Sequence, residues 1–337
     1  MQLSNPIRAI DLFCGIGGNS CGARAAGVEI VAGFDMWELA GQVYVDNFSP
    51  ATFYHNRLQD INIGKIKNQL GKVDLILASP ECTSHSVARG NKEKSIESLN
   101  LAYQVLRFAM ELNPRWVVIE NVTAMQSWNG YQEFLKKLRQ HFHVSVQKLN
   151  SHDFGVPQKR RRLFLICDRD LEPGKVSPPS GIFLRTAEDI LDRNGVYRYS
   201  SLFAEKRAKP TIERAQRAIE QLGSQAEFLL VYYGSDKSGG WQRIQDPLRT
   251  ITTLDRFALV RPGPEGHEMR MLQPPELQAA MGFPESFAIN RGTRRDKVHL
   301  LGNAVCPPVV TEIVRSLSGL SRPLEQQRAF SILQTPD

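Results

Sequence analysis

The sequence predicts an α/β fold, a doubly wound sheet covered by helices on both faces, with a smaller mixed region inserted late in the chain. Three observations predict it. Apolar strand-length runs alternate with amphipathic helix-length segments through the first half. A glycine-rich turn follows the first strand candidate and an acid closes the second, as in open sheets that bind ligands beyond their strand ends. The alternation breaks near residue 170 and returns near residue 269. With 337 residues, 42% of them hydrophobic, the chain can bury a substantial core without disulfide or metal staples.

Ile7 to Phe13 is the first strand candidate and Glu29 to Phe34 the second, ending at Asp35. Trp37 to Asn47 has helical spacing, with Leu39, Val43 and Tyr44 on one side. Val73 to Ala78 is an almost continuous apolar run, as expected of a strand buried on both faces. Ile96 to Leu112 reads as a long amphipathic helix ended by Pro114, and Trp116 to Ile119 as the next buried strand. Tyr131 to His141 is helical, and Val144 to Leu149 and Leu163 to Ile166 are strands. This alternation implies a parallel sheet. Residues 171 to 262 are rich in Gly, Pro and Ser, with strand candidates at Phe228 to Tyr233 and Leu248 to Thr253. The division is therefore 1–170, a mixed region 171–262, a return segment 263–320 and a polar tail 321–337.

Lys plus Arg outnumber Asp plus Glu 42 to 35, a formal net charge of +7, which leans toward a polyanionic partner. The five cysteines are odd in number and form no C-x-x-C pair, which argues against a disulfide framework or a zinc ribbon. No secretory leader and no apolar run of membrane-spanning length is apparent, so a cytoplasmic, reducing setting without membrane contact is expected.

Asp11-Leu12-Phe13-Cys14-Gly15-Ile16-Gly17-Gly18 follows a strand and opens a helical segment, and its glycines allow a sharp turn and close ligand approach. Asp35, 20 positions after Gly15, sits where a carboxylate meets ribose hydroxyls in a doubly wound nucleotide fold. The strand Val73 to Ala78 leads into Ser79-Pro80-Glu81-Cys82-Thr83-Ser84-His85-Ser86, so Cys82 lies beyond the carboxyl edge of the sheet. A thiolate there is a strong nucleophile. Cys14, Cys21, Cys167 and Cys306 are expected to be packing residues. Cys82 and His85 lack a second ligand pair, so no metal site is expected. Glu120, in Glu120-Asn121-Val122, would sit at the same edge one strand over, where burial raises a carboxyl pKa for proton work. In Gln158-Lys159-Arg160-Arg161-Arg162, alternation would turn Arg160 and Arg162 into the pocket and Lys159 and Arg161 toward a phosphate backbone.

Together these segments resemble the cytosine-5 DNA methyltransferases of the bacterial and phage type. DLFCGIGG is similar to that family's cofactor motif, Cys82 to its Pro-Cys nucleophile, and Glu120-Asn121-Val122 to its Glu-Asn-Val motif. Gln158, Arg160 and Arg162 match Gln-x-Arg-x-Arg. Arg270, Leu272, Glu276 and Gly282-Phe283-Pro284 resemble the ninth motif, and Gly302-Asn303-Ala304-Val305 with Pro307-Pro308 the last. The motifs run in order from residue 10 to about 312. The resemblance implies a Rossmann-like methyltransferase domain that uses S-adenosylmethionine. Phe13, Gly15, Gly17, Asp35, Asp60, Ile61, Asn303 and Val305 would hold that cofactor. Cys82 would attack carbon 6 of a flipped cytosine, Glu120 would hold its N3 and N4 edge, and Arg162 and Arg160 would contact the base carbonyl and backbone. Residues 80 to about 99 would form a mobile loop. Region 171–262 would read double-stranded DNA. A monomer is expected, as a cognate restriction partner, a solitary methylase or a phage enzyme.

The cysteine loop departs from the family's usual Pro-Pro-Cys-Gln-x-Phe-Ser at Glu81, Thr83 and His85. A carboxylate beside the nucleophile disfavours the thiolate if it points inward. Two other functions stay open on these residues: cytosine-5 methylation of transfer RNA, and a DNA-binding relative with an altered site. Retention of Cys82, Glu120, Arg160 and Arg162 together argues against the latter.

Overall fold

The computed structural model describes residues 6–81, 96–233 and 240–320. Its elements run β1 (Arg8–Leu12), α1 (Gly18–Ala25), β2 (Glu29–Asp35), α2 (Glu38–Phe48), β3 (Thr52–His55), α3 (Ile63–Leu70), β4 (Leu75–Ala78), α4 (Ile96–Leu112), β5 (Trp116–Val122), α5 (Tyr131–Arg139), β6 (His143–Asn150) and β7 (Arg161–Asp168). After these come β8 (Ser200–Ser201), α6 (Lys209–Leu222), β9 (Phe228–Val231), β10 (Trp241–Arg243), β11 (Phe257–Gly263), β12 (Gly266–Met271), α7 (Pro274–Ala280), α8 (Arg294–Asn303) and α9 (Pro307–Ser318).

The first seven strands form one sheet in the order β3-β2-β1-β4-β5-β7-β6. The order reverses between β1 and β4, which opens a crevice beyond their carboxyl ends. Alternation divides the core. Leu75 and Leu77 of β4 face the side covered by α1, α2 and α9, and Ile76 and Ala78 face α3, α4 and α5. The helices follow from the apolar stripes and caps of the sequence. In α5, Phe134, Leu135 and Leu138 are buried while Lys136 and Arg139 are exposed. The Asn62 side chain accepts from the Lys65 amide at 3.0 Å to cap α3, and Thr293 with Asp296 forms a capping box at α8.

The expectation of a parallel sheet holds from β3 through β5 and fails beyond it. β7 pairs antiparallel with both β5 and β6. The β6–β7 connection is a short excursion (151–160) that turns the chain back, with no crossover helix to bring it round parallel.

The late mixed region is a five-stranded antiparallel sheet, β10-β9-β11-β12-β8. One face packs Phe228, Leu230, Ala258 and Val260 under α6. The other, with Leu229, Val231 and Leu259, joins the main core. That shared core is why no linker is visible in the composition. The hairpin β11–β12 continues through Met271, so the expected boundary at 262 falls inside it. Arg270 of β12 and Glu276 of α7 form a buried two-bonded ion pair at 2.6 and 2.7 Å across this return. Leu248 to Thr253, expected to be a strand, is irregular. Leu248 makes an isolated parallel bridge with Gln158, and beyond it main-chain groups bond to side chains: Ile251 N–H to Gln158 Oε1, and the Thr250 carbonyl from the Tyr233 hydroxyl. The expected tail 321–337 lies outside the described residues.

Candidate active site at the carboxyl edge of the sheet

The glycine turn after β1 is built for close approach. Phe13 adopts φ 55°, Gly15 φ 51° and Gly17 φ 90°, all in the left-handed region. A Cβ on Gly15 would meet nothing within 4 Å, so the turn faces open space there, whereas one on Gly17 would lie 2.2 Å from the Phe48 ring. The Gly15 amide donates to Asp35 Oδ2 at 2.8 Å and the Trp37 amide to Oδ1 at 2.8 Å. Burial raises the Asp35 pKa, and those amide donors oppose the shift. The carboxylate keeps acceptor capacity for hydroxyls.

The last motif closes against this turn. A Cβ on Gly18 would lie 2.3 Å from the Val305 carbonyl oxygen, so only glycine lets 303–305 seat on the first turn of α1. Val305 is buried and Asn303 is exposed beside it. Asp60 is exposed at the end of the short 3-10 turn Leu58–Asp60, and Ile61 is buried. Arg107 of α4 orients that turn by donating to the Leu58 and Ile61 carbonyls. An open glycine cradle, a carboxylate held by amides and an apolar flank suit an adenosyl cofactor. Phe13, Gly15, Gly17, Asp35, Asp60, Ile61, Asn303 and Val305 are the residues that would hold it.

One strand away, β5 carries Glu120 and Asn121. Glu120 shares the face of Trp116 and Val118, and Arg162 of β7 shares the face of Phe164 and Ile166, which is the same side of the sheet. Arg162 stands diagonally across from Glu120, with Nε 3.1 Å from Oε1. Glu120 is 8% exposed. Burial pushes its pKa up, and Arg162 and then Arg160 pull it part of the way back. Asn121 Nδ2 donates to the Pro80 carbonyl at 2.8 Å, and Ser79 Oγ donates to the Phe13 carbonyl at 2.9 Å. The stem of the cysteine loop is therefore tied to the cofactor turn on one side and to the Glu120 strand on the other. Cys82 and the rest of the expected mobile loop to residue 95 lie outside the described residues.

Lys159 and Arg161 are exposed while Arg160 is 4% exposed, as the alternation implies. Arg160 nevertheless departs from the expected contact with the base. Its guanidinium donates to the carbonyls of Ile251, Gly302 and Ala304 at 2.8, 2.8 and 3.0 Å. Burial, with Arg162 nearby, pushes its pKa down to about 10, so it remains a cation at neutral pH. Those carbonyls use the planar donor fork that a base would need. Gln158, fully buried, works beside it by donating to the Ala280 carbonyl and accepting from the Ile251 amide.

The other four cysteines are buried. Burial raises the Cys306 pKa against the pull of Arg160 and Arg162, so the thiol packs as a neutral group behind the site. Sequence reasoning passed over Ser79, Asn121 and Asp11 as functional supports. Asp11 is fully buried, accepts from the Ser20 amide and hydroxyl at 3.1 and 2.7 Å, and fastens α1 to β1. An acid inside an otherwise apolar strand was the available signal. Among the described residues no group of three or more His, Cys, Asp or Glu side chains could hold a metal. None of their helices is long and apolar enough to cross a membrane.

Comparison with known proteins agrees with this geometry. Residues 7–319 match the model of the C-5 cytosine-specific DNA methylases. The type II methyltransferase M.HindV of Haemophilus influenzae is 26% identical over 89% of this chain and 92% of its own. M.HhaI of Haemophilus parahaemolyticus is 26% identical over 92% and 94%. The DNMT2 structure from Spodoptera frugiperda superposes with a TM-score of 0.68 at 20% identity, covering 92% of this chain and 99% of that one. An Entamoeba histolytica methyltransferase gives 0.66 at 19%, covering 93% and 98%. The chain, an enzyme that uses S-adenosylmethionine, belongs to the C-5 cytosine-specific DNA methylase family.

Proposed function

We propose that this enzyme methylates carbon 5 of a cytosine flipped out of double-stranded DNA, with Cys82 as nucleophile and Glu120 as the acid facing the base. The observation that carries the proposal is the placement of Glu120. Its buried carboxyl is paired with Arg162, and the next residue, Asn121, holds the Pro80 carbonyl two positions before Cys82. A base bound between them would meet a thiol, a carboxyl of raised pKa and a guanidinium.

In this reading the Cys82 thiolate adds to carbon 6. Glu120 hydrogen-bonds the N3 and N4 edge, so electron density released by the addition reaches carbon 5. When bound, S-adenosylmethionine supplies an electrophilic methyl group. Loss of the carbon-5 proton to a base and expulsion of the Cys82 thiolate restore the ring. Arg162 keeps Glu120 oriented and faces the base carbonyl. Arg160 positions the site by holding the 251 and 302–304 segments together. The reading places a monomer in the cytoplasm, modifying the sites of a cognate restriction endonuclease. The type II methyltransferases among its relatives support the last point.

Transfer of a labelled methyl group to matched duplex DNA and transfer RNA tests the substrate. Label in DNA is expected. Label in transfer RNA alone overturns the choice of DNA, and label in neither, from a folded protein that binds S-adenosylmethionine, favours an altered binding relative.

A further inference from the structure

The turn that presents Asp35 is flanked by two histidines from other elements. Residues 35–37 leave the carboxyl end of β2, and β3, the edge strand of the main sheet, runs beside them. His55 closes β3 in register with Asp35. Alternation puts Phe53 and His55 on one face of β3 and Tyr54, stacked on Phe34, on the other. Asp35 alternates with Phe34 in the same way, so Asp35 and His55 share a face. The His55 ring lies 6.5 Å from the Phe53 ring and is inclined to it by 21°. On the other side of the turn, the Trp37 indole packs on the His299 ring of α8, with centroids 4.8 Å apart.

His55 Nε2 lies 3.0 Å from the Met36 carbonyl oxygen. A carbonyl only accepts, so Nε2 carries the proton and donates. That carbonyl and the Trp37 amide are the two ends of one planar peptide group. The Trp37 amide donates to Asp35 Oδ1 at 2.8 Å. A chain of hydrogen bonds therefore runs from the imidazole through the 36–37 peptide to the carboxylate, and each bond in such a chain polarises the next. Burial raises the Asp35 pKa, the amides of Trp37, Gly15 and Met36 oppose the shift, and charge on His55 opposes it further. His55 is exposed at the end of an edge strand and adds little to the core. Loss of its donor should therefore be felt at the Asp35 turn and not in the stability of the sheet.

We propose that His55 is a positioning residue for the ribose of the cofactor, holding the carbonyl end of the 36–37 peptide so that the Trp37 amide aims the Asp35 carboxylate into the crevice. The inference rests on the reading of Asp35 as the ribose-binding acid. It adds a residue of the edge strand, outside the motifs that carry the family resemblance, which acts through Asp35.

The test compares the full-length enzyme with His55→Phe, His55→Gln, Asp35→Ala and the double variant His55→Phe/Asp35→Ala. Phenylalanine keeps a ring against Phe53 and loses the donor, whereas glutamine loses the ring and keeps an N–H of similar reach. Kd for S-adenosylmethionine is measured by calorimetry, together with kcat at saturating cofactor, Kd for duplex DNA and the thermal midpoint. His55→Phe should weaken cofactor binding about 3- to 10-fold, the worth of one hydrogen bond, with the other three readouts changed little. His55→Gln should stay within about twofold of the wild type. The double variant should bind no more weakly than Asp35→Ala alone, because both changes remove the same contact. An unchanged cofactor Kd in His55→Phe, an equal loss in His55→Gln, or additive losses in the double variant overturns the proposal. A matching loss of DNA binding or of thermal midpoint in His55→Phe overturns it as well, by making the residue a general support of the fold. If Asp35→Ala itself leaves cofactor binding unchanged, it is the reading of Asp35 that fails.

Discussion

The proposed chemistry turns on one buried carboxyl. Glu120 sits in an environment that favours its protonated form, and Arg162, 3.1 Å away, keeps the shift from growing. Glu120→Gln preserves shape and removes the ionisable group, so it should lower kcat by about 10²- to 10⁴-fold in a labelled-methyl assay while leaving S-adenosylmethionine binding intact. Arg162→Gln removes the main opposing cation. The limb of the pH–rate profile set by Glu120 should then move to higher pH, and an unmoved limb would detach Arg162 from that role. Asp11 makes a separate pH prediction. Burial raises its pKa to about 7 from an ordinary 3.8, so between those values the folded chain holds a proton that the unfolded chain releases. This group's contribution to stability is full below about 3.8 and is lost as pH rises to about 7. Urea midpoints should therefore fall for wild type relative to Asp11→Asn across that window, and parallel curves would contradict the assignment.

At the level of elements, Gly18 lets the start of α1 meet the backbone of Val305, whose carbonyl oxygen would lie 2.3 Å from a Cβ there. Gly18→Ala would force α1 away from the 303–305 segment. A loss of about 1–3 kcal/mol in stability is expected, with a raised KM for S-adenosylmethionine. Calorimetry and initial rates would check both. The strands of the main sheet were readable because their runs are apolar on both faces, as Leu75 to Ala78 shows. Strand direction was not readable. Nothing in Arg161 to Asp168 states that β7 runs antiparallel to β5, yet that reversal sets Arg162 across from Glu120. α6 was missed because its buried stripe is only Thr211, Ala215 and Ala218 among charged and amide residues. Thr250 to Thr253 has β-branched residues typical of strands, but its main-chain groups are taken by Gln158, Arg160 and Tyr233. The candidate site was legible where a motif carries its own chemistry, as at Glu120 and Asp35. It was less legible at Arg160, whose partners are main-chain carbonyls far along the sequence.

Over the whole molecule, Arg160 is the tie between the catalytic sheet, the return from the small sheet and the segment that closes the cofactor crevice. Arg160→Lys cannot span three carbonyls, and each buried acceptor left alone costs about 1–3 kcal/mol. A lowered urea midpoint and a higher KM for both DNA and S-adenosylmethionine are expected, whereas loss of DNA binding alone would make Arg160 a substrate contact after all. The ties from Ser79 to Phe13 and from Asn121 to Pro80 fix the chain two residues before Cys82 beside the strand that carries Glu120, and the proposed mechanism needs Cys82 to reach the space bounded by Glu120 and Arg162. The measurement that tests this most directly is covalent capture on DNA in which 5-fluorocytosine replaces cytosine, with S-adenosylmethionine present, read on a denaturing gel. The fluorine blocks loss of the group at carbon 5, so the wild type should remain bonded to DNA and Cys82→Ser should not. A trapped complex with Cys82→Ala would show that another residue attacks the base.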